Sequence, residues 1–301
     1  MHIETAANIG LNTTFKLLNK PGFGRNKVTK FSVANRADAD PVKDTQMARD
    51  VLMNAEPSGT SPLTRALAEI REEIQVLAPY LQLNDKKVYV IISTDGLPTK
   101  NGKTSPEATN EFLAELRSLE LYPVWVIIRL CSSDEETISF YKGLDNELER
   151  NVDVILPLSN EMRRVKSVNS WLNYTYPLQY CREIGSHLRL FDIINERALT
   201  LDEVITLCKI LFGNDEMDDL PDPHVDWKGF SIGLGRILEN QEVMWNPHSN
   251  RLEKQINLGS LSRRYGNKAG ISRSGSLRDL IANQNQTQQE IVSSKCACSI
   301  S

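Results

Sequence analysis

Apolar positions along this 301-residue chain follow two periods, and the first 158 residues alternate between them. Short runs rich in β-branched and aromatic residues, at 14–18, 28–33, 88–93, 122–128 and 152–156, read as strands. Helical patterns lie between them. The longest sets Leu63, Leu67, Ile70, Ile74, Leu77 and Leu81 at alternating steps of four and three, which is one apolar stripe on a helix. Ser61 as N-cap and Pro62 in the first turn mark its expected start, and Ser105-Pro106-Glu107 opens the next helix in the same way. Ser133 followed by Asp134, Glu135 and Glu136 opens a third, with acids at the positive end of the dipole. Strands apolar on both faces and separated by helices predict the α/β class: an open, mostly parallel, doubly wound sheet.

The texture changes near residue 159. From there to about 250 helical patterns dominate, so a helical extension is expected. Thr200 and Glu203 form a capping box with Gly213 at the stop, and a further helix is expected over 226–240. Residues 251–301 read as a flexible basic tail. From Tyr265 onward Gly, Ser, Asn and Gln replace apolar periodicity, and residues 263–301 carry six basic side chains against Asp279 and Glu290.

Composition narrows the function classes. At 40% hydrophobic residues the chain has enough apolar material for a core. A net charge of −4 argues against a general nucleic-acid binder, which needs a basic surface excess. No apolar run approaches the roughly 20 residues of a membrane helix, and the opening MHIETAANIG is not a basic-then-apolar signal segment. Cys131, Cys181 and Cys208 are scattered through the body, a poor disulfide framework, so a reducing, cytoplasmic location is expected.

One constellation carries chemistry. The strand at 88–93 runs into Thr94-Asp95-Gly96, which puts Asp95 at the carboxyl end of a strand, the ligand edge of an open α/β sheet. Ser58-Gly59-Thr60 stands just before the long helix. A hydroxyl and a carboxylate from neighbouring loops are hard oxygen donors that suit Mg²⁺. A Gly-Thr before a helix, followed by an apolar strand ending in Thr-Asp-Gly, resembles the second and third elements of the metal-ion-dependent adhesion site of von Willebrand factor A (vWA) domains. The resemblance covers residues 1–158. It implies a protein-binding module in which Thr60 and Asp95 are metal ligands and an acidic residue of the partner completes the coordination. The family's first strand, with its Asp-x-Ser-x-Ser motif, has no counterpart here, and Met1-His2-Ile3 resembles the helix that follows it. Either that strand is encoded upstream of Met1, which is the expectation, or the domain is reduced to a scaffold.

Catalytic readings find less support, and no enzyme is expected. The principal alternative is a nucleotide-binding P-loop or Rossmann-like enzyme. Residues 97–104, LPTKNGKT, resemble a P-loop between strand and helix, but Leu97 stands where the motif needs Gly, and Pro98 lacks an amide donor. His2, His187, His224 and His248 have no zinc spacing, and Ser231-Ile232-Gly233-Leu234-Gly235 lies in a helical pattern. Trp171, Trp227 and Trp245 are expected to anchor the helical half. At the carboxyl end, Cys298-Ser299-Ile300-Ser301 fits a prenylation box. Cys296 is placed to take palmitate, which would add association with the cytoplasmic face of a membrane.

Overall fold

The structure is a computed structural model that describes residues 2–19, 28–55, 59–148, 152–184, 188–246 and 248–266. The chain divides into two compact units, the first running to Val154 and the second beginning at Ile155.

The first unit contains α1 (His2–Ile9), β1 (Thr13–Lys16), β2 (Lys30–Val33), α2 (Pro41–Met53), α3 (Leu63–Leu83), β3 (Val88–Thr94), α4 (Pro106–Leu119), β4 (Val124–Leu130) and α5 (Glu135–Glu147). A fifth strand, β5 (Val152–Ile155), crosses the boundary between the units. Each of the five expected runs forms a strand, but they do not share one sheet. β3, β4 and β5 form a parallel sheet in that order, flanked by helices, whereas β1 and β2 make a separate antiparallel hairpin. A parallel return needs a crossover, usually helical. The segment between β1 and β2 carries Pro21-Gly22-Phe23-Gly24 and no helical period, so the chain reverses instead.

The hairpin has its own small core. Phe15 and Phe31 sit directly opposite in register with their rings stacked at 5.2 Å. Around them Ala6 and Ala7 of α1, Val33 of β2, and Ala48 and Val51 of α2 are buried. The Ala34 amide, at a left-handed φ of 49°, donates to Asp44 Oδ2 at 2.7 Å and so fastens α2 to the end of the hairpin. Lys16 bonds Glu69 and Lys30 bonds Glu73, two ion pairs that hold the hairpin to α3.

Within the parallel sheet, β4 is central and carries Val126, Ile127 and Ile128, all buried, so both of its faces are covered. The edge strand β3 alternates: Val90, Ile92 and Thr94 are buried, whereas Tyr89, Ile91 and Ser93 are exposed. Helix α3 buries Leu63, Leu67, Ile74, Ala78 and Leu81, while Leu77 is 48% exposed. Its N-cap is Pro62 and no side chain caps it, so Ser61 does not take the role its position suggests. Helix α4 is capped as expected, Ser105 Oγ accepting from the Ala108 amide. Helix α5 is capped by Asp134 one residue after Ser133, with the Thr137 amide at 2.8 Å. The T-shaped contact of Phe112 with Tyr141 joins α4 and α5, and Arg71 pairs with Glu115 at 2.5 Å across α3 and α4.

The second unit is mainly helical: α6 (Leu158–Val168), α7 (Tyr176–Glu183), α8 (Arg189–Ile193), α9 (Leu201–Phe212), α10 (Asn214–Asp218) and α11 (Trp227–Asn240), then β6 (Met244–Asn246), β7 (Arg251–Glu253) and α12 (Leu258–Tyr265). The capping box of α9 is present, with Thr200 Oγ1 accepting from the Glu203 amide and Glu203 Oε2 from the Thr200 amide. The core gathers Trp171, Leu178, Val204, Leu207, Phe230 and Leu234, among others. Each fully buried Leu or Phe contributes about 1.5–3 kcal/mol. The buried side chain of Asn169 is paired at both of its amide atoms. Asn169 Nδ2 donates to the carbonyls of Ile194 and Arg197, and its Oδ1 accepts from the Leu199 amide. Residues 251–266, read from sequence as the start of a flexible tail, are folded: Leu261 and Tyr265 of α12 are buried, and the Tyr265 hydroxyl donates to Leu199 O at 2.6 Å. Trp171 is fully buried as expected, whereas Trp245 is 54% exposed on the β6–β7 hairpin and lies outside the buried core. Among the described residues no helix is long and apolar enough to cross a membrane.

Candidate functional site

The site is assembled at the carboxyl end of β3. Thr94, the last residue of the strand, is buried. Its hydroxyl donates to Gly96 O at 3.1 Å and accepts from Gly96 N at 3.4 Å. That local closure is a turn made by a threonine hydroxyl, and it turns Asp95 outward into an exposed position. Two neighbours fix the turn. The Tyr141 hydroxyl, reaching from α5, donates to Gly96 O at 3.1 Å, and the Cys131 amide donates to Thr94 O at 2.8 Å. Tyr141 is fully buried, and burial pushes its phenol well above the ordinary range, so it stays protonated and keeps donating.

The loop before α3 docks on this turn. Ser61 O accepts from the Leu63 amide at 2.8 Å and from the Thr99 amide at 2.9 Å. Gly59 adopts φ +90°, and a Cβ there would stand 3.0 Å from Asn19 Cγ. Asn19 Nδ2 donates to Thr60 O at 2.7 Å, which brings in the chain leaving β1. A Cβ on Gly96 would lie 4.0 Å from Ser61 Oγ, and one on Gly102 3.8 Å from Thr60 Cγ2, so both glycines line the junction. The structure therefore brings the loops of Thr60 and Asp95 together at one sheet edge, with both residues exposed. Ser58 lies outside the described residues, as do Cys296 and Cys298.

Thr60 and Asp95 together supply one hydroxyl and one carboxylate, both hard oxygens, facing solvent. That donor set fits part of a Mg²⁺ shell, in which waters fill several positions. Among the described residues no group of three or more His, Cys, Asp or Glu is clustered as a metal site.

The segment with P-loop character is a tight hairpin. Lys100 N donates to Lys103 O at 2.9 Å and Lys103 N to Lys100 O at 3.0 Å, around Asn101 (φ 51°) and Gly102 (φ 79°). Two successive positive φ values with Asn-Gly define a type I′ turn. The amides of Lys100 and Lys103 are thus bonded to carbonyls. Lys100 Nζ is held by Glu107 at 2.7 Å and Glu111 at 2.5 Å, and those bonds raise its pKa. The Asn-Gly pair signals this turn, but the Gly-Lys-Thr beside it draws the eye to a different motif. Sequence reasoning also missed Asn19 and Tyr141, which hold the site from two other elements and carry no motif.

A shallow open groove of about 460 Å³ lies between α4 and α5, lined by Leu113, Phe140, Glu136 and Glu147 among others. Glu147 is paired there with Arg117.

Comparisons of the chain with models of protein families, with curated proteins and with solved structures found no match.

Proposed function

We propose that this chain is a protein-binding module of the vWA type, not an enzyme, and that the Thr60 and Asp95 loops are two parts of a metal-dependent contact for an acidic partner residue. The observation that carries the reading is the docking of the Thr60–Ser61 loop on the Thr94-Asp95-Gly96 turn, fixed by Thr99 N to Ser61 O at 2.9 Å. An exposed hydroxyl and an exposed carboxylate at the carboxyl edge of a parallel strand stand where α/β sheets bind ligands. Bound Mg²⁺ would supply a positive centre for a partner carboxylate. Thr60 and Asp95 would orient it, and one protein carboxylate would leave it with net positive charge to attract that acid. The reading also takes the chain to be cytoplasmic, in keeping with reduced thiols at Cys131, Cys181 and Cys208.

Two protein ligands are few for Mg²⁺, so residues 1–301 alone should hold it no tighter than millimolar. Calorimetry with Mg²⁺, with and without an acidic peptide, tests this. The expected result is weak binding in which peptide and metal support one another and which Asp95→Ala and Thr60→Val both remove. Peptide capture unchanged by chelator and by both substitutions would overturn the proposal. Tight binding of a nucleoside triphosphate, lost in Lys103→Ala, would favour the P-loop alternative.

A further inference from the structure

The groove of about 460 Å³ between α4 and α5 shares no lining residue with the Thr60 and Asp95 loops. Its floor is apolar: Leu144 is buried, and Leu113 and Phe140 are half-buried beside it. The Phe140 ring is held from the core, in a T-shaped contact with Tyr141 at 4.9 Å and tilted against Phe112 at 6.5 Å, both of them fully buried. An apolar floor fixed in this way is formed before any ligand arrives.

Gly143 is hard to explain by folding alone. Glycine is a poor residue for a helix interior, yet Gly143 sits well inside α5 and is exposed. No crowding calls for it, since a Cβ there meets nothing within 4 Å. The empty space is the groove itself, which Gly143 lines. A large side chain at this position would enter it, so the glycine keeps the groove open and lets another backbone come close.

Among the described residues, the ionisable side chains of the lining are two glutamates. Glu147, in the last turn of α5, is paired with Arg117 at 3.0 Å. Glu136, in the first turn, is exposed and follows Asp134 and Glu135, which are exposed as well. Three turns of helix, about 16 Å, separate the two glutamates. The groove is therefore acidic at the end that holds Glu136 and near neutral at the other.

We infer that the α4–α5 groove is a docking site for an amphipathic helix of another protein, with leucine-like anchors at i, i+4 and i+7 over Leu113, Phe140 and Leu144 and a lysine or arginine opposite Glu136. The inference does not rest on metal binding at Thr60 or Asp95. An open trough between two helices leaves most of a small molecule in water, whereas a helix laid along it is covered over its whole apolar stripe. Charge sets the direction. Basic residues are favoured at the carboxyl end of a helix, so the docked helix runs antiparallel to α5 and brings that end to Glu136.

The test mixes the full chain with an alanine-based peptide that carries leucines at i, i+4 and i+7 and two lysines in its last turn. One control peptide has glutamates in place of the lysines, and a second has the leucines scrambled. Heteronuclear NMR should show saturable shifts at Leu113, Phe140, Gly143 and Leu144, with an affinity between micromolar and millimolar. Gly143→Leu puts a better helix former at an exposed position and fills the groove. Circular dichroism should stay unchanged and the thermal midpoint should not fall, while peptide binding weakens at least about tenfold. Glu136→Lys should weaken the lysine peptide about fivefold and bring in the glutamate peptide instead. Undiminished binding to Gly143→Leu would overturn the inference, because the contact would then lie elsewhere. So would equal binding of either control by the parent chain, and so would no binding at all. Shifts at these residues that grow with protein concentration in the absence of peptide would overturn it too, since the occupant would then be a second copy.

Discussion

The Thr99 amide donates to the Ser61 carbonyl at 2.9 Å, and through that bond the loop after β3 is fastened to the loop before α3. The bond joins two backbones and owes nothing to the side chains of Thr60 or Asp95, both exposed. Frame and chemistry at this edge are therefore separable. Asp95→Ala and Thr60→Val should leave stability to urea within about 0.5 kcal/mol of the parent, as exposed substitutions away from caps and cores do. A loss beyond about 1.5 kcal/mol would mean that one of them carries structure after all.

Gly59 is the opposite case. Its φ of +90° suits glycine, and a Cβ would press on Asn19 Cγ at 3.0 Å, the side chain that bonds Thr60 O. Gly59→Ala should cost about 1–2 kcal/mol from backbone strain and should shift the loop. Urea midpoints of Gly59→Ala and Asn19→Ala, alone and combined, give the check. A combined loss smaller than the sum is expected, because each change disturbs the same bond.

Much of this architecture was legible in the sequence. Five strands, the α4 cap at Ser105 and the Thr200–Glu203 capping box are local events, decided within a few residues, and the structure has all of them. What the periods did not carry was the partnering of strands. Val88–Thr94 and Val124–Leu130 look alike as apolar runs, yet one is an edge and the other is central, which depends on residues far away. The cap of α3 slipped for a related reason: the Ser61 carbonyl is engaged by Thr99, some 40 positions along the chain, and the helix starts after Pro62 without a hydroxyl cap. At the site, Thr60 and Asp95 could be read from motif and strand position, whereas Asn19 and Tyr141 arrive through tertiary packing and leave no local signal.

The three body cysteines should separate by reactivity. Cys208 is fully buried, and burial pushes its thiol up to about 12. Cys181 is partly buried and raised for the same reason, while Cys131 is exposed. Only the thiolate is nucleophilic. Timed alkylation of native protein, read by peptide mass spectrometry, should label Cys131 first and Cys208 only on unfolding. Early labelling of Cys208 would show that the second unit opens locally around α9.

Glu203 ties stability to pH. Its bond to Arg197 above all, opposed by burial and helped to a lesser degree by the Thr200 amide, holds its carboxyl below the ordinary 4.5. A carboxyl lowered in the folded state stabilises fully above its unfolded value, and this stabilisation fades as pH falls through the folded value. Melting temperatures taken between about pH 6 and pH 3 should therefore fall on acidification. Glu203→Gln should melt lower than the parent at the upper end and converge with it at the lower end. Curves that stay parallel throughout would remove Glu203 from the titration.

Buried charge in the second unit offers the sharpest energetic test. Glu161 is fully buried, and its Oε2 accepts from Arg182 Nη1 at 3.0 Å and Asn195 Nδ2 at 2.5 Å, while Oε1 accepts from the Leu156 amide at 3.1 Å. Arg182 is only 5% exposed, and the half-exposed Arg164 adds a second cation, its Nη1 3.6 Å from Glu161 Oε1. Breaking such a pair from one side typically costs about 3–5 kcal/mol, because the remaining ion stays desolvated. Glu183, also fully buried, is close enough for both carboxylates to raise the Tyr174 hydroxyl, which burial chiefly drives up to about 12. Arg164 still faces Glu161 in Arg182→Met, and Glu183 still follows Arg182 in Glu161→Gln, so both single variants should fall toward the lower end of that range. The double variant should lose less than the two singles added together, since removing both partners leaves no Arg182–Glu161 charge mismatch. Denaturant unfolding of the four proteins measures the coupling directly, and strictly additive losses would show that the pair is not an energetic unit.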